Sequence, residues 1–335
     1  MRKLLWLALA MAGLWGGYWF VGSNMLKTQT ATFFDGAAAN GLVIRRDDIS
    51  VAGFPNRFDL TVDGLDISDP ATGFGWKAPF VQLLTMTWKP WHIIAAFPND
   101  QVIVSPDQSV AVKSDRMMAS VHLHPTSALG LYETRFESAN LGLTSDQGWT
   151  IGVEKLFAST LEDAANPTVQ RVGLTVDNLA PDPAVMTALA ATDLPAMIET
   201  LHLDLSATFT APVQLNAPEN QPLLSAVNVK DARIIWGALK LIADGTLTAG
   251  PDGVADGTIT IRINGWRRLP PVLAALGWVN PDMAPNIERG LEVMAKAGPD
   301  PEILELLLVC ANGRMSLGPF PLGPAPQFFG MASGA

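Results

Sequence analysis

The chain has 335 residues, 48% of them apolar and only 16% charged, against about 25% charged in an average globular domain; this much apolar surface has to be hidden, which excludes wholesale disorder. A net charge of −10 argues against nucleic acid as a partner, because such binding rests on Lys and Arg neutralising phosphates. The single cysteine, Cys310, excludes an intramolecular disulfide and a thiolate metal cluster.

Arg2 and Lys3 precede an uncharged apolar run over residues 4–21, and Lys27 is the next basic residue. That run is just long enough to span a bilayer, and Trp6, Trp15, Tyr18 and Trp19 suit its two interfaces. Residues 1–24 are therefore expected to be an uncleaved inner-membrane anchor, with a cytoplasmic N-terminus and the bulk of the chain periplasmic. A signal peptide cleaved to release the protein into the periplasm is the alternative, although no A-x-A site follows the run. Residues 25–323 are expected to form a single periplasmic β-rich domain, and residues 324–335 a loose tail.

A short helix is expected over residues 25–40, with Gly41 after its end. Residues 43–51 and 57–67 read as a hairpin around Gly53-Phe54-Pro55-Asn56. In its second strand Phe58, Leu60 and Val62 hold one phase and Leu65 and Ile67 the other, which predicts a β-bulge at Gly64. A strand over 76–88 follows, then a helical or looped excursion over 90–98. Short strands are expected over 101–104, 109–113, 117–123, 134–143, 149–157, 169–177 and 201–209, with a helix over 182–191. The longest run of two-residue periodicity lies within residues 225–266, where Leu239, Leu241, Ala243, Leu247 and Ala249 alternate up to Gly250-Pro251-Asp252-Gly253 and Ile259, Ile261 and Ile263 resume the pattern. This predicts three antiparallel strands with one apolar face. Residues 269–309 suggest three helices: one over 272–277, one through Ile287, Leu291 and Met294 to Gly298, and one opened by Asp300 and Pro301. A last strand over 314–317 leads into a tail rich in Pro and Gly.

The fold class is accordingly mainly β (α+β): a long curved antiparallel sheet of successive hairpins with a few packing helices, after one N-terminal transmembrane helix. Such a sheet must cover its apolar face with something, whether its own helices, a membrane or a ligand.

No catalytic motif, cofactor fingerprint or metal site is predicted. His122 and His124 share one face of a strand, but two ligands do not make a site. Asp63, Asp66 and Asp69 lack the alternate spacing of a calcium loop, and Gly250 to Gly257 holds one glycine-rich turn and no repeat of it. Gly73-x-Gly75-x-x-Ala78 is followed by Pro79 and a strand pattern, where a dinucleotide would need a helix N-terminus. Cys310 ends an apolar run and reads as a buried, inert thiol. Trp76, Trp88, Trp91, Trp149, Trp236 and Trp266 are dispersed through strands and turns. Core packing is the ordinary explanation for them, and their places near strand ends also suit an apolar groove or a rim at the membrane.

Gly53-Phe54-Pro55 with Arg57-Phe58, Gly64-Leu65, Trp76-Lys77-Ala78-Pro79 and Lys89-Pro90 form one set of landmarks. Trp236-Gly237-x-Leu239-x-Leu241, Gly245-x-Leu247, Gly257-x-Ile259 and Asn312-Gly313-Arg314-x-Ser316-Leu317-Gly318-Pro319 form a second. Together they resemble the uncharacterised bacterial family called domain of unknown function 2125, over nearly the whole chain. The resemblance implies an envelope address and no established activity, so no functional residue is carried over. More loosely, the layout is similar to that of the AsmA-like envelope proteins, in which an inner-membrane helix precedes a long sheet with a lipid-accommodating groove, a likeness at the level of fold. The expected function is non-enzymatic: a membrane-anchored periplasmic protein sheltering lipid or another apolar molecule in its sheet. A scaffold or interaction module for another envelope protein is the alternative.

Overall fold

The computed structural model describes residues 2–190, 192–216 and 221–328. Ala191, at the end of the helix expected over 182–191, and residues 329–335 of the expected tail lie outside the described residues. The fold is mainly β, with four α-helices among the described residues and strands that pair antiparallel. Two compact units divide the chain, Met1–Pro125 with Phe136–Gly148 and Thr126–Arg135 with Trp149–Ala335.

Unit 1 opens with α1 (Arg2–Ala39), one continuous helix where the residues suggest an anchor and a separate short helix. Nothing in the segment breaks it. The chain has no proline before Pro55, and the hydroxyls of Thr28, Thr30 and Thr32 each bond the carbonyl four residues back. The strands that follow are β1 (Val43–Arg45), β2 (Asp48–Ala52), β3 (Arg57–Ser68), β4 (Gly75–Met86), β5 (Lys89–Ala96), β6 (Asp100–Val104), β7 (Ser109–Lys113), β8 (Arg116–Leu123) and, shared between the two units, β9 (Leu131–Ser145). β3 pairs with β1, β2 and β4, and β4 divides its length between β5 and β6.

The expected slip of phase in β3 is present, but its register with β4 does not shift. Gly64 takes φ +61°, and the pairs on either side, Asp63 with Phe80 and Leu65 with Ala78, stay in step. The residue opposite Gly64 is Pro79, which has no N–H to leave unpaired. Leu65 thereby joins Leu60, Val62, Ile49 and Phe34 of α1 in one buried cluster.

Residues 89–96 form strand β5, in place of the expected excursion. Ile93 and Ala95 pair with Val121 and Ala119 of β8 on one edge and with Thr85 and Leu83 of β4 on the other, so pairing on both edges outweighs Pro90 within the strand and Pro98 after it.

Unit 2 is a meander in which each strand pairs with the next. Its elements are β10 (Thr150–Asp163), β11 (Asn166–Ala180), α2 (Pro183–Ala188), β12 (Ile198–Phe209), β13 (Leu224–Trp236), β14 (Leu239–Ala249), β15 (Ala255–Asn264), α3 (Leu269–Ala275), α4 (Ala284–Ala297), β16 (Ile303–Ala311), β17 (Arg314–Leu317) and β18 (Phe320–Pro324). The three strands expected within 225–266 are β13, β14 and β15. Asp182 caps α2 by accepting from the Ala184 N–H at 2.8 Å.

The third helix expected after Asp300 is instead strand β16. Asp300 caps only a turn, accepting from the N–H groups of Glu302 and Ile303. Beyond it Leu304, Leu306 and Cys310 are buried while Glu305 and Leu307 are exposed, a two-residue period that β15 meets with a paired edge. The tail is regular for one more strand, β18, before Ala325.

Candidate functional site

The paired strands of unit 2 carry apolar rows across the sheet. Leu201, Ile234, Leu241 and Ile263 are opposite one another in succession, and so are Leu174, Leu203, Ala232, Ala243 and Ile261. Alternation places all of them on one face. A register shift in β13 between Val229 and Ala232 keeps Val227 and Val229 in phase with Ala232 and Ile234 on that face.

The opposite face is charged. Arg262 bonds Asp244 at 2.7 Å and Glu305 at 3.1 Å, and Asp244 first, with Glu305 behind it, raises the guanidinium above its ordinary pKa. Asp231 lies within 3.9 Å of His202 and bonds Arg233, and Thr175 meets His202 at 3.2 Å. A sheet so divided presents its charged side to water and must cover the other.

The cover is partial. At one end α2, α3 and α4 bury the face in a core that contains Leu189, Trp236, Trp266, Val272, Leu291 and Leu304. At another place Ala325, with Phe328 packed beside it, closes over Ala255 and Cys310. Burial is the chief cause that pushes the Cys310 thiol up from its ordinary pKa, with Asp256 adding to it. Beside the helix-covered end lies an open trough of about 280 Å³, walled by Leu174, Leu201, Leu203, Ile234, Leu241 and Ile261 and floored by Ala232 and Ala243. Its depth has a simple origin: the two alanines face each other across β13 and β14, and neither fills the space that its longer neighbours enclose.

Unit 1 holds a second apolar cleft, of about 260 Å³, between Met25 and Leu26 of α1 and Phe58, Leu60, Leu83 and Ile93 of the sheet.

The tryptophans do not gather around either space. Trp236 and Trp266 meet in the buried core, their indole N–H groups bonded to the carbonyls of Pro195 at 2.7 Å and Pro301 at 3.1 Å. Trp76 bonds Gln101 at 2.9 Å and packs edge-on to Phe97. Trp88 is exposed in the turn after β4, and Trp91 and Trp149 are half-buried. None of the six lines the trough. Its walls are leucine, isoleucine and alanine, of which the periodicity of β14 and β15 singles out Leu241, Ala243 and Ile261. Leu203 and Ala232 are reached only through the strand register.

His122 stacks on His92 across β5 and β8, with ring centroids 5.1 Å apart. Among the described residues no group of three or more His, Cys, Asp or Glu side chains is placed to hold a metal ion.

A family model described as an uncharacterized protein conserved in bacteria (DUF2125) matches residues 19–326. No curated protein and no solved structure matches the chain.

Proposed function

This chain belongs to the bacterial family DUF2125, and on that footing we propose that it is a membrane-anchored, non-enzymatic envelope protein that shelters a lipid chain or a similar apolar molecule on the sheet of unit 2. One observation carries the reading: an apolar, alanine-floored trough stands open on a sheet whose other face is already committed to water. Sheltered apolar surface of this kind is what a ligand would cover, at about 25 cal/mol per Å² removed from water. His202 and Arg233 border the trough, but they alternate with its wall residues along β12 and β13 and direct their side chains to the charged face, where they meet Asp231 and Thr175, so the walls themselves are aliphatic. The helix Arg2–Ala39 is long and apolar enough to cross a membrane, and Arg2 and Lys3 at its start favour a cytoplasmic N-terminus and a periplasmic bulk. The proposal also draws on the looser resemblance of layout to the AsmA-like envelope proteins, which rests on residue order alone.

The test is a photo-crosslinking side chain in place of Leu203 on the trough's wall in the full-length protein, irradiated in its native membrane. A covalent lipid adduct seen by mass spectrometry at position 203, and absent when the group sits at Arg262 on the charged face, is the expected result. No adduct at position 203 or at Leu174 overturns the proposal.

One observation favours a second reading, that of an interaction module. Strand β18 pairs with β17 along one side, and Phe320 and Leu322 are exposed along it, a form that accepts an added strand from a partner. Crosslinks from Leu322 to one defined envelope protein, with an empty trough, would select it.

A further inference from the structure

In unit 1 the hairpin turns of the sheet reach down to the apolar part of α1. The indole N–H of Trp15 donates to the carbonyl of Pro55 at 3.0 Å, that of Trp19 to the carbonyl of Arg57 at 2.6 Å, and the hydroxyl of Tyr18 to the carbonyl of Thr87 at 3.0 Å. Pro55 lies in the turn between β2 and β3, and Thr87 in the turn between β4 and β5. Phe54 packs on Trp19 and Phe20, with ring centroids 5.4 and 5.6 Å away.

These partners lie within the uncharged apolar run that ends at Val21. At about 1.5 Å of rise per residue, Trp19 and Trp15 sit roughly 3 and 9 Å below the end of that run. Yet the turns docked there leave Phe54, Met86 and Trp88 exposed, next to exposed Tyr18 and Phe20 on the helix. Two turns and the strand end beside them, carrying three large apolar side chains at that level, have one natural medium. Water would leave a contiguous apolar patch bare, whereas the interface of a bilayer takes tryptophan and phenylalanine favourably.

We infer that the β2–β3 and β4–β5 turns are a second membrane contact, immersed in the interfacial layer of the leaflet from which α1 emerges, with Phe54 and Trp88 in the lipid. The inference rests on the anchor reading of α1 and adds to it that the folded unit itself enters the membrane. It also sets the apolar cleft between Leu26 and Phe58 directly above the immersed turns.

The experiment is nitroxide labelling of the full chain, reconstituted in vesicles of phosphatidylethanolamine and phosphatidylglycerol. Cys310 is buried and the label is directed to Phe54→Cys, Trp88→Cys, Leu9→Cys and Ala71→Cys, one at a time. The ratio of collision with oxygen to collision with a water-soluble nickel complex is read at each. Ratios at positions 54 and 88 several-fold above that at position 71, and below that at position 9, are expected. A water-like ratio at both 54 and 88 with a lipid-like ratio at 9 overturns the inference and leaves the anchor standing. A water-like ratio at position 9 overturns the anchor and the inference with it. All four positions are exposed, and a circular dichroism spectrum matching the unlabelled chain accompanies each.

Discussion

Thr87 donates both its backbone N–H and its hydroxyl to one acceptor, the carbonyl oxygen of Asn56, at 3.0 and 3.1 Å. The two turns of unit 1 are thereby fastened to each other before either touches the helix. Thr87→Val keeps the size and the backbone bond and removes the second donor, so a loss of about 1 kcal/mol is expected in chemical denaturation. Tyr18→Phe, which leaves the carbonyl of Thr87 without the phenol donor, should act in the same direction.

Gly245 admits no other residue. Its φ is +150°, and a β-carbon there would stand 2.3 Å from the carbonyl oxygen of Thr258 on the neighbouring strand. Gly245→Ala is expected to destabilise by upwards of about 2 kcal/mol and to lower the yield of folded protein. Gly142→Ala, a strand position with open space around it, should stay within about 0.5 kcal/mol of the parent. Thermal unfolding of the pair separates the collision from a general effect of replacing glycine.

Acid should loosen the contact between Asp193 and Arg268. The guanidinium makes two bonds of 2.5 Å to the carboxylate, and that hydrogen bonding holds Asp193 below its ordinary pKa. A depressed folded value means that the carboxylate binds its proton more readily in the unfolded chain. The contribution is therefore complete above the unfolded value of about 3.9 and fades as pH falls through the folded one. Asp193→Asn should be less stable than the parent at neutral pH, and the gap should narrow below the carboxylate range. A gap that does not change with pH would mean that charge is not what the pair contributes.

Cys310 is 1% exposed and its thiol is held protonated by burial. An aqueous thiol reagent should therefore leave the native protein unlabelled over the time in which it fully labels the urea-unfolded chain. Rapid labelling of native protein would mean that the segment holding Ala325 over Cys310 opens readily.

Periodicity made much of unit 2 legible. Leu239 to Ile263 alternate over strands long enough, and bounded by turns plain enough, that β14 and β15 follow from residue order alone. The misread segments share one cause, a short local signal set against a long-range pairing. Asp300-Pro301 is a good helix opening in isolation, yet the edge of β15 at Ile263 pairs Leu304 and draws the chain into a strand. Pro90 and Pro98 bound a run that looks too interrupted to pair, yet Ile93 finds Thr85 on one side and Val121 on the other. Trp236 and Trp266 are large enough to organise the core and carry no information about the trough, whereas Trp88 stays exposed in its turn. The trough owes its existence to small residues, and Ala232 reveals nothing until Ala243 is known to face it.

The absence of a break in α1 has a mechanical consequence. The helix has 38 residues, roughly 57 Å at 1.5 Å per residue, and it is attached to unit 1 from Trp15, through its bond to Pro55, up to Phe34 in the buried cluster. With residues 4–21 in a bilayer, the remainder is a lever arm without a joint. In that setting a thinner membrane that made such a helix lean would turn the attached sheet through the same angle, and bilayer thickness would set the posture of unit 1.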